Sequence, residues 1–204
     1  MPYGNIIFLN GISSSGKTTL VKELQQLLEQ PYIHMSLDDV WARLPEKIVG
    51  QDQWWTKLPL GQFASGFHNA VAGFSRAGVG VIIDHCCTSA SGLQECLQLF
   101  KDARVVFVDV TCFVDELKRR EETRGDRMIG QAEAQLPRVL AFRSCHIYDL
   151  QVDTSVHPPI DCARKIIGVL GDTRRKTAFS QFAFQFKNRH FLLNDAKAVN
   201  FCDP

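Results

Sequence analysis

The chain has 204 residues, enough for one domain of moderate size with its own core. Hydrophobic residues make up 45% and charged residues 22%, the balance of an ordinary globular protein and not of a disordered or fibrous one. A net charge of +1 gives no electrostatic reason to expect nucleic acid or an anionic membrane as partner, and no apolar run approaches the length of a membrane span.

The first predicted strand covers about residues 5–10, with the apolar run Ile6-Ile7-Phe8-Leu9. Residues 11–18 follow as Gly-Ile-Ser-Ser-Ser-Gly-Lys-Thr, which fits G-x-x-x-x-G-K-[ST]. A helix is predicted over 17–29, with Leu20, Leu24, Leu27 and Leu28 on one face. Strand, glycine loop and helix in that order are the setting in which this motif binds phosphate. Gly11 and Gly16 let the backbone curl so that its N–H groups face an anion. Lys17 brings a cation to the β- and γ-phosphates, and the Thr18 hydroxyl can hold Mg²⁺. The nucleotide-binding candidates are Gly11, Ser13, Ser14, Ser15, Gly16, Lys17, Thr18 and Thr19. The helix N-terminus adds its dipole to the loop's donors.

A short second strand at 32–35 leads to Asp38 and Asp39. Phosphoryl transfer to an alcohol needs cations around the phosphates, an acceptor oxygen held in line and a carboxylate to take its proton. Asp38 is the candidate base, with Asp39 the neighbour that spacing alone does not exclude. Asp38 also fits the N-cap of a short helix over 39–44, a role compatible with catalysis. Trp41, Trp54 and Trp55, with Pro45 and Pro59, fit either an acceptor pocket or plain core packing.

A helix at 61–77 precedes a third strand at 79–84 that ends in Asp84. Asp84 stands where a Walker B-type carboxylate would contact Mg²⁺, so Thr18 and Asp84 are the metal candidates. A turn residue or a substrate-side acceptor is the alternative reading of Asp84. A helix at 90–101 and a strand at 104–110 follow, and then a helix at 113–123 that runs into Thr-Arg-Gly-Asp-Arg at 123–127. A charged helix face accounts for Lys118 and part of the arginine cluster. Arg124 and Arg127, flanking Gly-Asp, suit a lid that closes on the nucleotide and neutralises charge in the transition state. A helix at 130–145, a short strand at 150–152 and a helix at 160–170 complete the pattern.

From Asp172 onward the alternation stops. Six of the fourteen phenylalanines lie in this stretch, and Phe182, Phe184 and Phe186 alternate as in a strand with one apolar face. The expected division is a phosphotransferase domain over 1–171 and a C-terminal extension over 172–204. Seven cysteines with no C-x-x-C pair point to reduced thiols in a cytoplasmic setting, and His85-Cys86-Cys87 reads as a strand end with small thiols in preference to a metal site. The start, Met-Pro-Tyr-Gly-Asn, lacks the basic segment of a signal peptide.

Alternating strands and helices predict an α/β fold, a central parallel sheet of about five strands with helices on both faces. Ligands of such sheets lie at the carboxyl ends of the strands, the edge that carries residues 11–18, Asp38, Asp39 and Asp84.

Gly11–Thr18, Leu37-Asp38-Asp39-Val40, Val81-Ile82-Ile83-Asp84, Glu122-Thr123-Arg124-Gly125-Asp126-Arg127 and Tyr148-Asp149-Leu150-Gln151-Val152-Asp153-Thr154 occur in this order. Together they resemble the chloramphenicol phosphotransferase-like family of P-loop kinases, related in fold to shikimate and adenylate kinases. The resemblance covers about residues 5–170. It implies ATP and Mg²⁺ as cofactors, Asp38 as the base, Lys17 and Thr18 at phosphate and magnesium, Arg124 and Arg127 as lid arginines, and residues 152–154 near the adenine. The implied partner is a small-molecule hydroxyl acceptor, with chloramphenicol one candidate and another metabolite or a nucleotide the alternatives. A non-catalytic nucleotide-binding module is the reading from another class. It lacks support in the absence of Asn-Lys-x-Asp and Leu-Ser-Gly-Gly-Gln motifs. The residues say nothing of oligomeric state.

Overall fold

The computed structural model describes residues 2–49, 54–124 and 130–182. Five strands, β1 (Ile6–Asn10), β2 (Tyr32–Ser36), β3 (Gly80–His85), β4 (Val105–Thr111) and β5 (Leu150–Asp153), form one sheet in the order β2-β3-β1-β4-β5. Every pairing is parallel. The helices are α1 (Lys17–Leu27), α2 (Leu37–Trp41), α3 (Glu46–Val49), α4 (Leu60–Arg76), α5 (Ala90–Leu99), α6 (Val114–Arg124), α7 (Gln131–Cys145) and α8 (Pro159–Gly171), with a 3₁₀ turn at Trp54–Lys57. The predicted strands and the six longer helices all appear, with each end within two residues of its expected place.

The three central strands β3, β1 and β4 are buried on both sides, which explains their unbroken apolar runs, while the edge strands β2 and β5 are partly exposed. Alternate residues sort onto two cores. Ile6, Phe8, Val81, Ile83, Val105 and Phe107 pack against Phe67 and Val71 of α4, Leu93, Cys96 and Leu97 of α5, and Phe142 of α7. Ile7, Leu9, Ile82, Val106 and Val108 pack against Leu20, Val21 and Leu24 of α1 and Cys162, Ala163 and Ile166 of α8. The result is three layers, helix–sheet–helix. Among the described residues, no helix is long and apolar enough to cross a membrane.

Two expectations need correction. The short helix after β2 is capped by Ser36, whose hydroxyl accepts from Asp38 N at 3.2 Å, so Asp38 lies inside the first turn and is not the cap. A serine in extended backbone just before the helix reaches that N–H directly. The expected strand through Phe182, Phe184 and Phe186 does not begin at Phe182, because residues 178–182 are helical. Phe184 and Phe186 lie outside the described residues. Tertiary packing overrides the alternation here: Ala178, Phe179 and Phe182 join the core, with the Phe179 ring against Phe8, Phe100 and Phe107. The Asp149 carboxylate accepts from Phe107 N and Ala178 N, both at 2.8 Å, and its carbonyl accepts from Arg175 at 2.7 Å. Arg104 donates to the carbonyls of Val169, Leu170, Asp172 and Arg175. Residues 172–182 are therefore tied to β4 and β5.

Candidate active site

Residues 11–16 turn between β1 and α1 at the sheet's carboxyl edge. Gly16 has φ +89°, in the left-handed region, and a Cβ there would meet Arg120 Nη1 at 3.2 Å and Thr154 Oγ1 at 3.3 Å. At Gly11 a Cβ would lie 2.4 Å from the carbonyl oxygen of Val110. Both motif glycines are thus required by the structure, one by conformation and crowding, the other by a neighbouring strand.

Lys17 is 8% exposed and folds back over the loop, donating to the carbonyls of Gly11 and Ile12 at 2.8 Å each. Its ammonium also stands 3.7 Å from Asp84 Oδ1. Thr18 Oγ1 donates to Asp84 Oδ2 at 2.7 Å, and His34 Nε2 lies 3.9 Å from the same oxygen. Residues 66 apart in sequence are thereby joined, because β1 and β3 are adjacent in the sheet. Among the described residues, Ser14 Oγ and Ser15 Oγ are buried with no hydrogen-bond partner. Buried hydroxyls of this kind call for an acceptor or donor from a ligand or water. The donor set suits an anion on the loop N–H groups and a hard cation beside Thr18 and Asp84, which offer only oxygen.

Ser14, Gly16, Lys17, Thr18, Thr19, Asp38 and Asp84 line one polar cleft. Asp39 is not among its lining residues. Consecutive positions on α2 point in different directions, and only Asp38 turns toward the loop. Beside this cleft opens an apolar cavity of about 420 Å³, lined by Met35, Val40, Gln62, Phe63, Gly66, Phe67 and Ala70. Its walls come from β2, α2 and α4. The Trp41 ring lies 5.1 Å from that of Phe63. The side chains of Trp54 and Trp55 lie outside the described residues.

Residues from outside the glycine motif also hold the loop. Arg120 donates to Ser14 O at 3.3 Å, to Thr154 Oγ1 at 3.1 Å and to Thr154 O at 3.0 Å. Thr154 Oγ1 in turn donates to Ser15 O at 2.7 Å. The segment at 152–154 thus reaches the loop. Arg119 and Arg120 both bond the Glu116 carboxylate, holding it far below the usual range, at about 2. Gln135 Oε1 accepts from Ser13 N at 3.0 Å. Arg120 could have been separated from its neighbours by helical phase, one turn on from Glu116. Gln135 had no such signal. The Arg124 side chain and all of Arg127 lie outside the described residues.

Five cysteines, 86, 87, 96, 112 and 162, are free thiols. Burial pushes Cys87 up to about 12. His85 packs between Phe8, Phe67 and His68, and burial first, then the charges of His68 and Lys17, lowers it to about 3. Its neighbour His68 is bonded to Glu95 at 2.8 Å.

A model of the family described as chloramphenicol phosphotransferase-like protein matches residues 4–170. A Mycobacterium tuberculosis protein named "Putative O-phosphotransferase Rv2636" is 30% identical over 190 residues, covering 81% of this chain and 82% of its own. Among solved structures, the Mycobacterium tuberculosis APS kinase CysC in complex with AMPPNP and APS superposes with a TM-score of 0.60 at 14% identity, covering 83% of this chain and 99% of that one. Shikimate kinase from Acinetobacter baumannii in complex with shikimate gives 0.55 at 18% identity, covering 85% and 96%. The tunicamycin resistance protein of Deinococcus radiodurans gives 0.61 at 16% identity, covering 82% and 96%. The fold is that of the P-loop kinases. The chain belongs to the chloramphenicol phosphotransferase-like family and is an enzyme of the phosphotransferase class.

Proposed function

We propose that this family member moves the γ-phosphoryl group of ATP to a hydroxyl of a small molecule whose body is largely apolar. The observation that carries this reading is the juxtaposition of two cleft halves: the polar one with Lys17, Thr18, Asp38 and Asp84, and the apolar one beyond α2. The first suits a nucleotide phosphate and the second suits an acceptor.

In this reading the loop N–H groups of residues 11–18 hold the phosphates, and Lys17 exchanges the carbonyls of Gly11 and Ile12 for phosphate oxygens. The exchange is favourable, because an ammonium bonds a charged oxygen more strongly than a neutral carbonyl. Thr18 and Asp84 would hold Mg²⁺, Asp84 directly or through water. When bound, the ion neutralises charge on the phosphate oxygens. Asp38 accepts the proton of the acceptor hydroxyl as that oxygen attacks phosphorus. Arg124 and Arg127 act as the lid cations, and Arg120 with Thr154 holds the loop in shape.

The acceptor body rests on Phe63, Phe67, Met35 and Val40, with Gln62 as the polar contact. A chloramphenicol-type alcohol, with an aromatic ring and a primary hydroxyl, has this character. Residues 1–171 carry the reaction, braced by 172–182, in a cytoplasm that keeps the five described thiols reduced. The test is a panel of hydroxylated acceptors, chloramphenicol included, with Mg·ATP and mass detection. Transfer adds about 80 Da to one of them. ATP hydrolysis alone, with no acceptor modified, refutes the proposal. Lys17→Ala should lower kcat by on the order of 10²-fold, as removal of a transition-state charge contact does.

A further inference from the structure

Among the described residues, Ser14 is the one non-glycine residue in the left-handed region, with φ +61°. Its place in the chain explains the angle. Ser15 N–H donates to Ile12 O at 3.3 Å, which closes a four-residue turn with Ser13 and Ser14 at its centre. A turn with positive φ only at its third residue is of type II, where glycine fits without strain and a Cβ does not. Arg120 holds the strained peptide from outside the loop, donating to Ser14 O at 3.3 Å. The backbone alone would be served better by glycine, so the reason for serine lies in its side chain. That side chain has no use within the protein: Ser14 is 6% exposed, and its Oγ is buried with no hydrogen-bond partner. Such a hydroxyl is costly until it meets an acceptor. Ser15 Oγ is also unpaired, but it lies inside the loop, where a Cβ on Gly11 would stand 2.9 Å from it. Of the two serines, only Ser14 lines the polar cleft, together with Lys17, Thr18, Asp38 and Asp84.

We propose that the Ser14 hydroxyl is a specificity-determining donor that bonds an oxygen of the terminal phosphoryl group, and so separates a nucleoside triphosphate from a diphosphate. This rests on the reading of residues 11–18 as the phosphate site and of Asp38 as the base. A base that takes the acceptor's proton stands beside the attacking oxygen, and that oxygen stands in line with the terminal phosphorus. The cleft that Asp38 shares with Ser14 is therefore the terminal group's place, whereas the inner phosphates lie on the loop N–H groups and the start of α1. A hydroxyl hydrogen rotates to suit its acceptor, so Ser14 meets the oxygen without any change in the turn. A diphosphate brings no group to that end and leaves the hydroxyl unpaired.

The test is calorimetric titration of the full chain in Mg²⁺ with a non-hydrolysable ATP analogue and, separately, with ADP, beside a thermal melt of the free protein. Ser14→Gly removes the hydroxyl and the strain together, and Ser14→Ala removes the hydroxyl and keeps the strain. Both should bind the triphosphate about tenfold or more weakly, the worth of a hydrogen bond to a charged oxygen, with ADP unchanged. Neither should melt below wild type, since no partner inside the protein is lost, and Ser14→Gly should melt at or above it. If both variants keep the wild-type ratio of triphosphate to diphosphate affinity, the inference fails alone. It fails also if both nucleotides weaken together while the melting temperature falls, which marks the hydroxyl as support of the loop. A wild-type chain that binds neither nucleotide removes the proposed function and this inference with it.

Discussion

Asp84→Asn separates the two roles that a carboxylate at this place can have. The substitution keeps size and shape but removes one negative charge. Asp84 receives the Thr18 hydroxyl at 2.7 Å and faces Lys17 at 3.7 Å, with both charged side chains 9% exposed. Two unit charges 4 Å apart interact by about 1 kcal/mol in water and about 4 kcal/mol at an effective dielectric of 20. The cleft opens to solvent, so a charge at this position is worth about 1.5–3 kcal/mol to a cation held beside it. That range corresponds to a loss of about 10- to 150-fold in affinity for Mg·ATP. Without magnesium the sign reverses. The carboxylate then repels the phosphates, and its removal should tighten Mg²⁺-free ATP by several-fold, about 1 kcal/mol. The fold should survive, because Lys17 keeps its two carbonyl acceptors. The assay is calorimetric titration with a non-hydrolysable ATP analogue, with and without Mg²⁺, beside a thermal melt. If affinity changes in the same direction under both conditions, Asp84 is a structural partner of Lys17 and Thr18 and does not hold the ion.

Three further outcomes are expected. Asp38→Asn should abolish phosphoryl transfer while leaving ATP binding largely intact, and Asp39→Asn should keep turnover near wild type; an inactive Asp39→Asn with an active Asp38→Asn would reverse the assignment of the base. Asp149→Ala leaves the buried N–H groups of Phe107 and Ala178 without their acceptor and should cost about 2–6 kcal/mol in urea unfolding, at about 1–3 kcal/mol for each orphaned donor, whereas a loss below about 1 kcal/mol would mean that residues 172–182 do not brace the domain. His85 is lowered to about 3 in the folded chain, so only the unfolded chain takes up its proton below the ordinary value of 6.5. Its contribution is therefore complete above about pH 6.5 and is lost as the pH falls toward 3, and His85→Gln should flatten the fall in urea midpoint between pH 7 and 5.

How much of this was legible in advance depended on range along the chain. The loop could be read because its parts are contiguous: an apolar strand, two glycines, Lys17, Thr18 and an amphipathic helix fall within one short stretch. Asp38 and Asp84 could be placed at the right edge because each follows the apolar run of a parallel strand. Which of Asp38 and Asp39 faces the loop could not, since that depends on where α2 starts, and Ser36 starts it earlier than the spacing implied. The apolar cavity could not be read either: the tryptophans after Asp38 fit a pocket or the core equally well, and Gln62, Phe63, Gly66, Phe67 and Ala70 of α4 supply most of the cavity's wall. Those α4 residues look like any amphipathic helix until the helix is laid against the sheet. Phe182 alternates with its neighbours as a strand residue would, and the core recruits it as a helical one.

The amino-acid order by itself determined the layered α/β fold and the phosphate-binding loop, because both arise from patterns a few residues long that local sterics and hydrophobic periodicity enforce. Only the tertiary structure decided what closes around that loop. Thr18 meets Asp84 across 66 residues, Ser13 meets Gln135 across 122 and Ser15 meets Thr154 across 139. Such contacts follow from the strand order β2-β3-β1-β4-β5 and from the helices laid over it, which bring chemically ordinary side chains to one edge of the sheet.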